Sequence, residues 1–559
     1  MKNSSEKDVI EIVYSNNTNS TSELTKQYFA SSKRIELIFA FFLILFLLIF
    51  SRLVYLAIYQ TDEINFEKNL NKQDYIIRKD IVDKNNIVIA KNIDVYDLVL
   101  NTSKKETIQE LLVKVKKIIP EVDIVNLLKE SESKKKIIIK KKIDENEFKK
   151  IIFLGEPSLE FQKRQVRIYP QRNLFSHIMG QVDDDNIGIS GIENYFNESL
   201  LKKNTEASFQ ITIDIYLQTL MRNELLEAIK DYNAKGAAGV LMRVDNGEVL
   251  ALNSLPDFDL NKRVNISDEK YLNKITLGLY ELGSVFKSFI IANAIDLKKI
   301  DENTLFYDLE KKIMCGGHDI NEHEKNLKSD LTTTEILVKS SNIGAVKIAD
   351  LVGIENYKTF LQSIGLLNKS TIQLPEKGHP FSAKWDKCTL YTASFGHGVS
   401  TTPLQLAAAY GTLVNGGYKI HPTIIKNNSS KKITKEQVIT NETSQKMIKM
   451  LRKVVIEGTA TKANIDGYNV VGKTGTALKV SKNSKEYGKD KINVFVSAFP
   501  EEKPEYVLLV MLDEPKSAPQ LGHYRTESGW NAVPVSGKLV KKLGPILALN
   551  KVQVAANAK

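Results

Sequence analysis

Leu37 to Phe50 is an uninterrupted apolar run, and Leu53-Val54-Tyr55-Leu56-Ala57-Ile58 extends it past Ser51 and Arg52. With the extension the stretch reaches about 20 residues, enough for a helix to cross a bilayer if Arg52 snorkels or faces a partner helix. Lys33 and Arg34 precede the run and Asp62 and Glu63 follow it, an asymmetry that places the N-terminus in the cytoplasm and everything after Tyr59 outside. A cleaved signal peptide would have a shorter apolar region ending in a small-x-small site, and none is evident. The run therefore reads as a retained anchor. The Ser-, Asn- and Thr-rich residues before it read as a disordered cytoplasmic tail.

Beyond the anchor the period of the apolar positions changes twice. From about Asn65 to Asn204 it predicts short strands and short helices with no catalytic constellation, as in a spacer or docking domain. Within this stretch Lys134 to Lys142 carries Ile137-Ile138-Ile139 between lysines, an apolar strand centre whose charged flanks discourage edge-to-edge pairing. From Glu206 onward the pattern differs. Val240 to Val244, the turn Asp245-Asn246-Gly247 and Glu248 to Leu252 predict a hairpin, with Asn-Gly supplying the positive φ angles of a tight turn. Tyr468 to Val471, Asn493 to Ala498 and Tyr506 to Met511 read as three more strands, the last two joined through Pro500 and Pro504. Between these groups lies a mainly helical stretch from about Leu255 to Ile465. The simplest packing is one antiparallel sheet assembled from both ends of this region and covered by a helical insert, an α+β fold.

The chain of 559 residues is too long for one compact core. Its formal charge of +11 is spread along a Lys-, Asn- and Ile-rich sequence with no aromatic-interleaved basic stripe, so no nucleic-acid partner is expected. Cys315 and Cys388 are too few for a disulfide framework and lack metal-ligand spacing, although a single bridge stays open.

The chemistry lies in three short patterns. Ser284 follows Gly283 and opens a predicted amphipathic helix from Val285 to Ile300, which puts Lys287 one turn along the same face. Lys287 can serve as base only if burial and a second cation lower its pKa, and Lys473 is the candidate cation. Thr332-Thr333-Thr334-Glu335 starts a helix that should end near Lys339. Ser340 and Asn342 then sit on a loop before the next helix, from about Ile343 to Leu351. There a hydroxyl can relay a proton to a leaving amine and an amide can hold a peptide bond. Lys473-Thr474-Gly475-Thr476 follows Tyr468 to Gly472 on a strand. Gly475 would let a substrate backbone approach as an added strand, while Lys473 with the Thr474 and Thr476 hydroxyls suits a terminal carboxylate. The backbone N–H groups of Ser284 and Thr476 are candidates for an oxyanion hole. Singly, these are ordinary helix starts, a helix cap and a strand end. Jointly and in this order, S-x-x-K, S-x-N and K-T-G nominate one acyl-enzyme site.

With these motifs the sequence resembles the class B penicillin-binding proteins, membrane-anchored peptidoglycan D,D-transpeptidases. Arg78-Lys79-Asp80-Ile81-Val82-Asp83-Lys84-Asn85 is similar to the first motif of the family's pedestal domain. Arg167-Ile168-Tyr169-Pro170, His177, Gly180 and Gly191-Ile192-Glu193 are similar to its later motifs. Gly396-His397-Gly398, Thr402 to Leu406 and Glu457-Gly458-Thr459-Ala460 resemble segments around the catalytic motifs. The departures are Leu282 where Pro is usual, and Lys79 and Asn86 where Gly is usual. Phe395 to Gly398 and Ser528 to Val535 look most like division-specific members from Gram-negative bacteria.

The resemblance implies that Ser284 attacks the carbonyl of a stem peptide ending in D-Ala-D-Ala and that an amine from a second stem resolves the acyl-enzyme. A β-lactam would acylate the same serine. Catalysis would rest on Ser284, Lys287, Ser340, Asn342 and Lys473, and substrate binding on Thr474, Gly475 and Thr476. No metal or organic cofactor is implied, and the His397 loop is structural in the family. The expected layout is a tail at 1–34, a membrane helix at 35–59, a pedestal of the dimerisation type at 60–205, a transpeptidase domain at 206–548 and a C-terminal tail at 549–559. The catalytic domain would lie in the periplasm on a single inner-membrane anchor, with a polytopic glycan polymerase and other division proteins as partners. The alternatives are an elongation-specific transpeptidase, a β-lactam-sensing receptor, a serine β-lactamase and a catalytically dead scaffold. A receptor needs a signalling domain, a β-lactamase needs a water-activating residue, and neither is found, while the intact motifs argue against a scaffold.

Overall fold

The structure, a computed structural model, describes residues 37–55, 78–104, 107–201, 208–262, 268–324, 326–426, 436–480 and 487–557. It divides into two bodies, residues 1–76 and 77–559. In the first, helix α1 (Leu37–Tyr55) is, among the described residues, the one helix long and apolar enough to cross a membrane. Lys33, Arg34, Asp62 and Glu63, on which the expected orientation rests, lie outside the described residues, as does the whole of the expected cytoplasmic tail.

The second body begins with a sheet built around one long strand. Strand β2 (Val88–Asn101) pairs antiparallel with β1 (Ile81–Val82), with β3 (Lys136–Lys140) and with β4 (Leu159–Ile168). A short β5 (Phe209–Gln210) adds parallel to β1. The far end of β2 has its own small core, with Leu98, Leu100, Leu112, Val115 and Ile137 buried together. At β3 only Ile137 is fully enclosed and the lysine flanks are solvated, as an outer strand requires. The near end of β2 belongs instead to the main core: Ile81, Ile89, Tyr169 and Phe175 are continuous with the residues of the large sheet below.

That junction is held by a buried carboxylate. Glu193 accepts from Arg78 Nε at 2.5 Å and from Arg167 Nε at 2.7 Å, with all three side chains closed to solvent. Removing one member would strand the others' charges, which explains why the arginines and the glutamate occur as a set. Asp83 accepts from the N–H groups of Asn85 and Ile87 and, across to the next segment, of Ile215. The turn it organises puts Asn86 at φ 66°, a left-handed position that Asn tolerates next best after Gly.

The large sheet comprises β6 (Gly236–Arg243), β7 (Val249–Leu255), β8 (Val471–Val480), β9 (Tyr487–Phe499) and β10 (Tyr506–Asp513). Its order is β8-β9-β10-β6-β7, antiparallel throughout, so strands from both ends of the region interleave as the periodicity predicted. Every residue of β10 is buried, because helices cover both faces. Helices α2 (Ile215–Asp231) and α7 (Ala532–Asn557) pack together on one side, and the wholly buried α6 (Pro403–Val414) packs against β10 from the other. Helix α7 continues past the domain end expected at 548.

Three local expectations change. In the β6–β7 hairpin only Gly247 has positive φ, so the turn is not the two-residue Asn-Gly type. A Cβ on Gly247 would meet the His421 carbonyl at 2.3 Å, and the neighbouring segment therefore shapes the turn. The strand expected at Tyr468 to Val471 begins only at Val471 and carries Lys473 to Thr476 within it. The helix after Ser284 ends at Asp296 and is not amphipathic: Lys287 to Ile295 are all buried, since sheet and insert enclose it.

Cys315 and Cys388 form a disulfide, with Cα atoms 5.5 Å apart and a separation of 73 positions in sequence. It joins the hairpin Lys312–Cys315/His318–Asn321 to the helix Lys387–Ser394. Cross-linking so long a loop restricts the unfolded chain, and the Cys315→Ser/Cys388→Ser variant is expected to lose roughly 2–4 kcal/mol of unfolding free energy. Urea denaturation monitored by circular dichroism would measure this, and an unchanged midpoint would contradict it.

Candidate active site

Ser284 lies on a turn of 3-10 helix, Gly283–Phe286, that runs directly into α3 (Lys287–Asp296). Tyr410 of α6 pins this turn by donating to the Val285 carbonyl at 2.7 Å. Gly283 has φ 64° and Gly396 has φ 85°, and a Cβ on Gly396 would stand 2.1 Å from the Gly283 carbonyl oxygen. The Phe395 to Gly398 loop thus packs backbone on backbone against the turn, where no side chain fits. Leu282, at φ −106°, occupies a conformation that a proline ring would not adopt, so the departure from the family pattern is accommodated locally.

The second motif sits at a helix-to-helix corner. A capping box between Thr332 and Glu335 starts α4 (Thr333–Lys339), and Ser340 ends it in the left-handed conformation, φ 60° and ψ 45°. Non-glycine residues rarely adopt this region, and such strain concentrates at functional positions. Here it turns the Ser340 hydroxyl inward. Ser341 caps α5 (Asn342–Val352), so Asn342 is the first residue of the helix and not a loop residue.

The side chains converge in one hydrogen-bonded cluster. Lys287 Nζ lies 3.0 Å from Ser284 Oγ, 2.6 Å from the Ser340 carbonyl oxygen and 3.1 Å from Ser340 Oγ. Lys473 Nζ lies 3.0 Å from the same Ser340 Oγ. A neutral amine has two N–H groups and one lone pair, which matches these three partners of Lys287 if the lone pair accepts the Ser284 proton. Ser340 is the bridge between the two lysines.

Both lysines are wholly buried. Burial holds Lys287 well below the ordinary lysine range, and repulsion from Lys473 pushes it further, against an opposing pull from Glu322. Burial also pushes Lys473 down to about 7. Burial thus disfavours the charged form of both lysines, and the Lys473 charge disfavours it further at Lys287, which suits Lys287 to accepting a proton. His397, near Glu281 and Lys287, is lowered chiefly by burial.

Strand β8 is one of the two strands that end the sheet, pairing with β9 alone, the position at which a substrate strand would add. Thr474 is held by Thr459, their hydroxyl oxygens 2.7 Å apart, and Thr476 Oγ1 accepts from the Ser528 N–H at 3.1 Å. A Cβ on Gly475 would be 2.2 Å from the Leu282 carbonyl oxygen, so its missing side chain admits the protein's own nucleophile turn. The turn and the strand meet closely, with the Thr476 carbonyl oxygen 2.5 Å from a Cβ on Gly283. That contact brings the backbones of Ser284 and Thr476, the two candidate oxyanion donors, into one neighbourhood.

Motif reading overlooked Glu322. Its carboxylate accepts from Ser341 Oγ at 2.5 Å, from the Asn342 N–H at 2.9 Å and from the Ile343 N–H at 3.1 Å. The adjacent Asn321 carbonyl accepts from Asn342 Nδ2 at 2.8 Å. Glu322 lies 19 residues before Ser341 with no periodic or motif relation to it, so only folding reveals the contact.

Two family models match this chain: the penicillin binding protein transpeptidase domain over residues 237–533 and the penicillin-binding protein dimerisation domain over residues 74–211. A probable peptidoglycan D,D-transpeptidase FtsI from Caulobacter vibrioides is 29% identical over 485 residues, covering 85% of this chain and 82% of that protein. Stage V sporulation protein D of Bacillus subtilis is 27% identical, covering 92% and 86%. The peptidoglycan D,D-transpeptidase FtsI of Escherichia coli is 26% identical, covering 69% and 68%. Among solved structures, penicillin binding protein 3 of Mycobacterium tuberculosis in complex with aztreonam superposes with a TM-score of 0.64 at 22% identity, covering 84% of this chain and 96% of that one, a likeness of fold. With both domains matched in order, behind a helix able to span a membrane, the chain belongs to the class B penicillin-binding proteins.

Proposed function

We propose that this protein, a peptidoglycan D,D-transpeptidase, cross-links stem peptides in the septal wall of dividing cells through an acyl-enzyme on Ser284. The observation that carries the site reading is the placement of Ser340 Oγ between Lys287 and Lys473, with Ser284 within reach of Lys287. Lys287 takes the Ser284 proton as Oγ bonds to the penultimate D-Ala carbonyl carbon. The peptide C–N bond breaks, and the proton passes through Ser340 to the leaving D-Ala nitrogen. An amine of a neighbouring stem then attacks the ester, its proton goes to Lys287, and Ser284 regains its hydrogen as the cross-link forms. Lys473, Thr474 and Thr476 receive the terminal carboxylate, Asn342 holds the donor peptide bond, and the Ser284 and Thr476 N–H groups face the developing oxyanion.

The periplasmic placement of residues after the anchor is supported by the Cys315–Cys388 bridge, which persists in an oxidising compartment, and by the charges flanking the apolar run. The septal role is supported by the names of the FtsI relatives. A polytopic glycan polymerase and other division proteins are the proposed partners, reached through the anchor and pedestal. The test is to label the full-length protein with a fluorescent penicillin, map the adduct by mass spectrometry and deplete the protein in cells. The expected results are a single adduct on Ser284 and filamentous cells. An adduct elsewhere would overturn the site reading, and rounded cells would replace the septal role by elongation.

A further inference from the structure

Outside the motif residues, Glu322 makes the most connections to the site. It lies just after the hairpin Lys312–Cys315/His318–Asn321, which the disulfide anchors to the helix leading into the Phe395 to Gly398 loop. One carboxylate oxygen accepts from Ser341 Oγ and the Ile343 N–H, and the other accepts from the Asn342 N–H. The Ser341 hydroxyl in turn accepts from the Gly344 N–H at 2.9 Å, so Glu322 and Ser341 together satisfy the first turn of the 11-residue helix α5. The neighbouring Asn321 carbonyl takes one Asn342 amide hydrogen, which leaves the amide oxygen and the second hydrogen for a ligand.

We propose that Glu322 is a positioning residue of the acylation site: its carboxylate locks the Ser341 to Ile343 corner that follows Ser340 and supplies a negative charge in the neighbourhood of Lys287. Ser340 is held in the left-handed conformation by its own N–H and by Lys287 on its carbonyl, and Glu322 clamps the residues that follow it. The groups that act on Lys287 are Lys473 from β8, Glu322 from the hairpin and His397 from the Phe395 to Gly398 loop, and only Glu322 is an acid. Without its charge Lys287 would lose its proton at lower pH. This inference rests on the reading of Ser284, Lys287 and Ser340 as the acylating groups.

The test is the second-order rate of penicillin acylation of the full-length protein in detergent, measured against pH for wild type, Glu322→Gln and Glu322→Asp, with melting temperature to establish folding. Gln keeps the size of the side chain but loses the charge and one acceptor. Glu322→Gln is expected to acylate roughly ten-fold more slowly at its plateau, as misplacement by a fraction of an ångström does, and to show its acid limb at lower pH. Glu322→Asp should keep the limb where the wild type has it. A Gln variant lacking either effect overturns the proposal, because a purely structural cap would slow the reaction without moving the limb. Wild-type protein that penicillin does not label at Ser284 would instead overturn the reading of the site, so the two failures are distinguishable.

Discussion

Lys287→Met is expected to reduce penicillin acylation by roughly 10³-fold or more while leaving the protein folded, and Ser284→Ala is expected to abolish it. Methionine is close to lysine in shape and adds no charge to a fully enclosed position, so packing around α3 is retained. What disappears is the atom 3.0 Å from Ser284 Oγ. The wild-type pH profile should carry the signature of the pair. Acylation rises as Lys287 loses its proton, well below the ordinary lysine range, because burial and the Lys473 cation disfavour its charged form. It falls again as Lys473, near 7 in the free enzyme, loses the charge that holds the carboxylate. These are steps of the coupled pair, and a bound carboxylate raises the second. Stopped-flow acylation measured across pH checks both limbs. A Lys287→Met variant that retains even a tenth of the wild-type rate would exclude Lys287 as the base.

Gly475→Val is expected to be the most damaging substitution on the edge strand, because the added side chain meets the nucleophile turn. The added Cβ would lie 2.2 Å from the Leu282 carbonyl oxygen and 2.7 Å from Val494 Cγ1, contacts that only movement can relieve. The Leu282 side is backbone, two residues before the nucleophile, so relief displaces Ser284 from Lys287. An overpacked core position typically costs about 1–3 kcal/mol in stability, and a misplaced nucleophile about 10²-fold in rate. Thermal melting and acylation of the same preparation separate the two losses. Acylation at the wild-type rate would show that the turn and strand are not in the contact described.

The sequence alone established the chemistry and much of the architecture. S-x-x-K, S-x-N and K-T-G are local patterns whose residue types and order name a nucleophile, a base, a relay and a cation. The Ser284 to Lys287 spacing is one helical turn, a distance that local geometry sets without help from the rest of the chain. The interleaved sheet followed from strands at both ends of the region with helices between. The helix start at Thr332 to Glu335 likewise followed from adjacent residues. Local patterns erred where neighbours in space override propensity: at the Gly247 turn, shaped by His421, and at α3, enclosed on all sides.

Only the tertiary structure decided how the pieces act on one another. It placed Ser340 between two lysines separated by 186 positions and enclosed both of them, so that burial lowers the pKa of each. It joined Cys315 to Cys388, which spacing left open. It packed Gly475 against the nucleophile turn, and it brought Glu322 to the Ser341–Asn342 corner. The physical reason is common to all four. Desolvation, close backbone approach and charge interaction depend on distances in space, and residues far apart in a sequence carry no local trace of those distances.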